Sequence, residues 1–201
     1  MGNCRSVVAF FPLLLASCMA FPKGDLPQVR EWPPRTHPER RRPSVSLTIN
    51  YESIFNGEKW VGPPEKEKES DEQVLREGTA VFKESALFSG VGRPSTPADL
   101  HVELGVHWTD SGSMLLAGLS VCTLGAVPMV CHSEVQAHAT FRSRSGGLLG
   151  AVRMGERVTQ IGWTPLLPAA LVFPGPDRAE LEASLYRAML VEALRRGYLD
   201  P

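Results

Sequence analysis

The sequence has almost no surplus charge: 21 lysines and arginines face 22 aspartates and glutamates over 201 residues, a net charge of -1. Without a basic excess there is no long-range field to gather nucleic acid, and no nucleic-acid partner is expected. Cysteine is scarce as well. Only Cys4, Cys18, Cys122 and Cys131 are present, and they do not form the two close pairs of a zinc site, so no metal and no cofactor is expected. Complete catalytic signatures are missing too. "GLSVC" at 118–122 ends on Cys122 instead of the glycine that the sharp turn of a hydrolase nucleophile elbow needs. "GVGRPS" at 90–95 lacks the third glycine of a dinucleotide fingerprint and does not follow a strand. The expectation is a protein that is not an enzyme.

What is present begins with "MGNCRSVVAFFPLLLASC", which reads as either of two lipid anchors. Gly2 followed by Ser6 fits the pattern for myristoylation. Against it, Arg5 and the apolar run Val7 to Ala16 have the form of a signal peptide, too short for a bilayer span of about 20 residues. Leu15-Ala16-Ser17-Cys18 resembles the bacterial lipobox, in which small residues precede a cysteine that is acylated before cleavage. Lipidation at Cys18 is therefore the expectation. Residues 1–17 would be a lipoprotein signal peptide, lost together with Cys4. Secretion with cleavage near Ala20, or an acylated Gly2, are the alternatives. Met19 in place of aspartate implies, by resemblance to known sorting systems, an outer membrane facing the periplasm where the cell has one.

Residues 18–43 contain Pro22, Pro27, Pro33, Pro34, Pro38 and Pro43 among charged residues. This composition predicts an extended tether from Cys18, about 3.1 Å per residue, ending at Arg40, Arg41 and Arg42. That triplet reads as a solvated charge run, or as a contact with anionic headgroups.

Residues 44–198 carry the periodicities of one domain. Val45, Leu47, Ile49 and Tyr51 alternate with polar residues, as do Leu100, Val102, Leu104, Val106 and Trp108, and again Val135, Ala137, Ala139 and Phe141. Leu148 to Val158 returns after the turn "SRSGG" as the second arm of a hairpin. Ser70 and Gln73 suggest a capped helix over about 70–88, and Asp177 and Glu180 another ending before Gly197. The prediction is α+β: a mixed sheet of about four strands with two helices on one face, in the order β-α-β-β-β-α with an apolar insert.

Two apolar segments stand out. Residues 111–131 carry no formal charge, and 161–174 are nearly as apolar. The first has the length of a bilayer span, but a span there would put strands of one sheet on opposite sides of a membrane. Because the strands after and before these segments form one hairpin, both segments are expected at the same edge of the domain. An uncovered apolar surface of that size marks a membrane or partner contact, through Leu115, Leu116, Leu119, Leu124, Val127, Trp163, Leu166 and Leu167. Packing on each other as core is the other reading. Cys122 and Cys131 would form a disulfide in an oxidising envelope, or act as small buried hydrophobes.

The succession of a strand, "LSVCTLGAVPMV", a hairpin, "GWTPLLPAALVF" and a terminal helix resembles a group of small bacterial envelope lipoproteins. Their matching positions would be Gly118, Leu119, Leu124, Gly125 and Pro128, then Trp163, Leu166, Leu167 and Pro168. Ser120 and Cys122 depart from the threonine or leucine expected there. The group is similar in topology to the amino-terminal region of TolB and to the curli-secretion and penicillin-binding-protein-activator lipoproteins. The resemblance implies a non-catalytic accessory or assembly factor of the bacterial cell envelope, held to a membrane through its lipid and binding an envelope protein or a second copy of itself. A subunit of an oligomeric secretion channel is an alternative. A less favoured one is a metal enzyme built across strands from His101, His107, His132 and His138, with Glu103 and Glu134 nearby.

Overall fold

The computed structural model describes residues 18–35, 41–59, 64–94, 96–166, 168 and 175–200. Trp60 and Leu167 lie outside them. In chain order the elements are β1 (Cys18–Pro22), β2 (Ser44–Phe55), β3 (Glu58–Lys59), α1 (Pro64–Glu84), β4 (Gly90–Gly92), β5 (Leu100–Gly112), α2 (Met114–Cys122), β6 (Met129–Ser143), β7 (Leu148–Gly162) and α3 (Arg178–Arg195). The strands form one mixed sheet in the order β1-β7-β6-β5-β2-β3, with β4 beside β2. β2 runs parallel to β5 across the α1 crossover, whereas β5, β6, β7 and β1 are successive antiparallel neighbours.

The α+β class holds, but the prediction of about four strands and two helices undercounts: among the described residues there are seven strands and three helices. The alternating runs do form the central strands, and each continues past its apolar stretch because its neighbour supplies backbone partners. Thus β5 reaches Gly112, paired with Cys131 of β6. The first helix begins at Pro64 and not near Ser70. Proline is tolerated in a first helical turn, where its missing N–H would have no intrahelical partner. It stops at Glu84: the Ser85 hydroxyl donates to the Phe82 carbonyl at 2.6 Å, and Ala86 turns left-handed at φ 54°. Asp177 and Glu180 do form the expected capping box of α3.

Side-chain alternation puts Val45, Leu47, Leu104, Val106, Val135 and Phe141 on one face, where they meet Val81 and Phe82 of α1 and Leu185, Met189 and Leu190 of α3. One polar cluster sits in this core. The Trp108 indole N–H donates to Glu182 Oε1 at 2.7 Å, and the Arg178 guanidinium lies 4.1 Å over the Trp108 ring and also donates to the Tyr51 hydroxyl. Burial pushes the Glu182 carboxyl above its ordinary range, opposed by the Trp108 bond and by Arg178.

The expected free tether needs a correction over its first half. Cys18–Pro22 is an edge strand, in register from Cys18 opposite Gly162 to Pro22 opposite Val158. Beyond it the chain is tied to the domain by a buried carboxylate: Glu156 accepts from the backbone N–H groups of Gly24, Asp25 and Leu26 at 2.9, 3.2 and 3.0 Å. Leu26 and Trp32 then pack against the core, with Arg187 beside the Trp32 ring. Proline does not exclude this path, because an edge strand and irregular chain leave few N–H groups in need of ladder partners. Arg41 pairs with Asp99 at 3.6 Å; Arg40 lies outside the described residues.

Three outcomes are expected. Glu156→Ala leaves three backbone donors without their acceptor, so trypsin should cut at Lys23, Arg30 and Arg35 faster while amides of the central strands keep their exchange protection. For Glu182, the raised folded-state pKa gives stability that is whole below the unfolded value and lost as pH rises through the folded one. Glu182→Gln keeps an acceptor for Trp108 and cannot ionise, so chemical denaturation should show it gaining on the native chain as pH rises above 4.5. Glu182→Ala orphans the indole N–H and should cost about 1–3 kcal/mol.

Candidate functional site

At one end of the sheet β5 stops, β6 begins, β7 stops and β1 begins, and two connections emerge there. The first is α2. Ser113 caps it, accepting from the Leu116 N–H at 3.3 Å, and Thr123 closes it by donating its hydroxyl to Leu119 O at 2.7 Å. Leu124 and Gly125 then turn back with φ of 52° and 78°, and the Gly125 N–H donates to Ser120 O at 2.6 Å. The second connection is the 3-10 turn Thr164–Leu166 after β7. The two are bonded together: the Trp163 indole N–H reaches Ala126 O at 3.2 Å, the Thr164 hydroxyl reaches Leu124 O at 2.6 Å, and the Thr164 N–H reaches Gly125 O at 3.1 Å. The described residues of the two apolar segments thus share one edge, as the hairpin connectivity requires; 167 and 169–174 lie outside them.

Meeting does not bury them. Ser120 is the buried residue of α2, while Met114 and Leu115 are 68% and 73% exposed and Leu116, Leu119, Val121 and Leu124 also face outward. Trp163 is exposed at the rim, Val127 and Leu166 are half-buried, and Leu167 is outside the described residues. Fully burying one such leucine or methionine contributes about 1.5–3 kcal/mol, so the cluster holds a large unrealised gain. No helix among the described residues is long and apolar enough to cross a membrane. The segments themselves carry no charge, since 18–22, 111–131 and 158–176 contain no Asp, Glu, Lys or Arg, and charge lies close by in β3, whose Glu58 and Lys59 stand next to the Asn56 turn that bonds Gly112.

The backbone of Cys18 stands at this same end, opposite Gly162 and one residue from Trp163 in register. Sequence reasoning missed that placement, since "CMAFP" has no alternation and is followed by proline-rich chain. Cys122 and Cys131 form no disulfide. Cys122 is exposed at the last turn of α2, contrary to both sequence readings, and Cys131 sits half-buried in β6 opposite Gly112 and Gln160.

The histidines converge only in part. His107 and His138 stack across β5 and β6 with ring centroids 5.6 Å apart, over the space left by Gly105. Burial, helped by His107 and Arg153, lowers the His138 pKa. His107 pairs with Glu52 at 3.1 Å, while His101 bonds Ser46 and His132 bonds Thr159. Among the described residues no three His, Cys, Asp or Glu side chains gather as a metal would need.

No protein-family model matches the chain, and no curated protein matches it. Among solved structures it is similar to a neuraminyllactose-binding hemagglutinin homolog of Helicobacter pylori, at 11% identity over 78% of this chain and 97% of that one, with a TM-score of 0.38. A Xanthomonas campestris protein of the DUF330 family is 14% identical over 82% of this chain and 92% of that one, TM-score 0.41. The PelC dodecamer of Paraburkholderia phytofirmans shares 9% identity over 86% and 97%, TM-score 0.31. None of these three is a TolB, curli-secretion or penicillin-binding-protein-activator protein, and at such identities and scores they transfer no residue or activity to this chain.

Replacing Leu115, Leu116 and Leu119 together with serine should destabilise by no more than about 1–2 kcal/mol in all, since Leu115 is mostly in water and Leu116 and Leu119 are exposed over more than a third of their surface. Leu104→Ala, in the core, should cost about 2–5 kcal/mol in the same denaturation experiment.

Proposed function

We propose that this chain is a lipid-anchored, non-catalytic accessory factor of the bacterial envelope, acylated at Cys18 and acting through the apolar end of its domain. One observation carries the reading: the lipobox cysteine and two exposed, charge-free segments arrive at the same end of one sheet. A nucleophile or metal site would need converging polar side chains in a cleft. Of the hollows among the described residues, the one of about 460 Å³ holding Lys23, His132, Glu134 and Arg157 has its groups tied to neighbours, His132 to Thr159, Glu134 to Gln136 and Arg157 to Asp25. In the smaller one, about 270 Å³ between Trp108, Asp110, Gln160 and Arg178, the Arg178 guanidinium is already engaged by Trp108 and Glu182. The exposed apolar surface of α2, in contrast, binds by losing water, which suits an assembly or binding role.

The test is intact mass and membrane fractionation of the native protein beside Cys18→Ala. A native chain that starts at Cys18 with acyl mass, and a variant without that mass, are expected. A retained, acylated Gly2 would place the protein on the other side of the membrane and overturn the envelope reading.

A further inference from the structure

We infer that α2 and the Trp163 turn are a membrane-seating face, buried in the headgroup and outer acyl region of the bilayer that holds the Cys18 lipid; this rests on the lipoprotein reading above. The first argument is geometric. β1 begins at Cys18 itself, in register with Gly162, and Glu156 fixes the chain that follows. Nothing spaces the anchor from the domain. Acyl chains leaving Cys18 therefore bring the lipid surface to the end of the sheet where α2 and Trp163 stand, and not to any other face.

A second argument concerns the polar groups of that end, several of which find partners within it. Ser113 takes the Leu116 N–H, Thr123 and Thr164 hydroxyls take the Leu119 and Leu124 carbonyls, and the indole N–H takes the Ala126 carbonyl. Water-facing loops have no need of this, whereas in lipid every backbone group without an internal partner is costly. The helix is short and apolar around its exposed sides, so it can dip but not span, to the 5–10 Å or so typical of interfacial helices. An amphipathic ring at the rim is where tryptophan sits at a membrane boundary. Charged side chains resume one step behind, at Lys23, Asp110, Arg157 and Asp177.

The experiment uses the native, mature chain in vesicles of phosphatidylethanolamine and phosphatidylglycerol, with Cys131→Ala so that an environment-sensitive fluorophore marks Cys122 alone. A second protein, Cys122→Ala and Cys131→Ala with Ser145→Cys, carries the same fluorophore in the β6–β7 turn at the opposite end, about 46 Å away along a strand of 15 residues. Seating predicts that Cys122 is quenched by nitroxide-bearing acyl chains and shielded several-fold from aqueous iodide, with the reverse at position 145. Serine at Leu115, Leu116 and Leu119 should abolish the lipid quenching while circular dichroism stays native. A Cys122 probe as open to iodide as position 145 overturns the inference. So does a probe shielded from both quenchers, which would mean that a protein or a second copy covers the face. Intact mass keeps the two readings apart: an acylated chain with an iodide-open Cys122 retains the anchor and loses the seating, and an unacylated chain quenched by lipid does the opposite.

Discussion

The carboxylate of Glu156, buried on β7 and taking three successive backbone N–H groups of residues 24–26, is the contact that decides what the amino-terminal segment is. A buried carboxylate is tolerated only where donors surround it, and here the donors come from chain 132 residues away at its farthest. Because those N–H groups are held, β1 keeps its register on β7, and Cys18 keeps its place opposite Gly162. Leu26 and Trp32 then have a fixed route over the core. Remove that constraint and the same residues become the extended spacer their composition describes, with Cys18 free to sit anywhere around the domain.

Two inversions of the usual inside-outside rule define the molecule. It buries Glu156 and Glu182, and it exposes an uncharged helix of leucine, methionine and valine. The buried acids are matched by donors: backbone amides in one case, the Trp108 indole, Tyr186 and Arg178 in the other. The exposed helix has no such compensation on its outward side. Its ties among the described residues run inward, through Ser120, its caps, β6 and the bonds from the Trp163 turn to the residues that follow it. The end that exposes the most apolar surface thus also ties several of its polar groups inward.

The opposite face of the sheet behaves as an ordinary solvated surface. His107 and His138 stack over Gly105 and Glu52 pairs with His107, which accounts for the histidine pattern along the strands without asking a ligand of it. His101 and His132 are each occupied by a neighbouring hydroxyl.

The alternation of Val45 to Tyr51, Leu100 to Trp108 and Val135 to Phe141 was enough to determine the central strands, because a period of two on a half-buried sheet is a local property. The Asp177–Glu180 cap was local as well, and so was the identity of the two apolar segments, whose common edge follows from the hairpin between them. What the sequence could not decide was non-local. "CMAFP" carries no strand signature and becomes one only because β7 offers it an unpaired edge. Pro64 reads as a breaker until the chain is seen to start a helix at it. Whether Leu115 and Leu119 are core or surface depends on what lies beyond them, and only the tertiary structure shows that none of the described residues does: hydrophobicity states that a side chain would gain by leaving water, and packing decides whether the chain itself supplies the place to go.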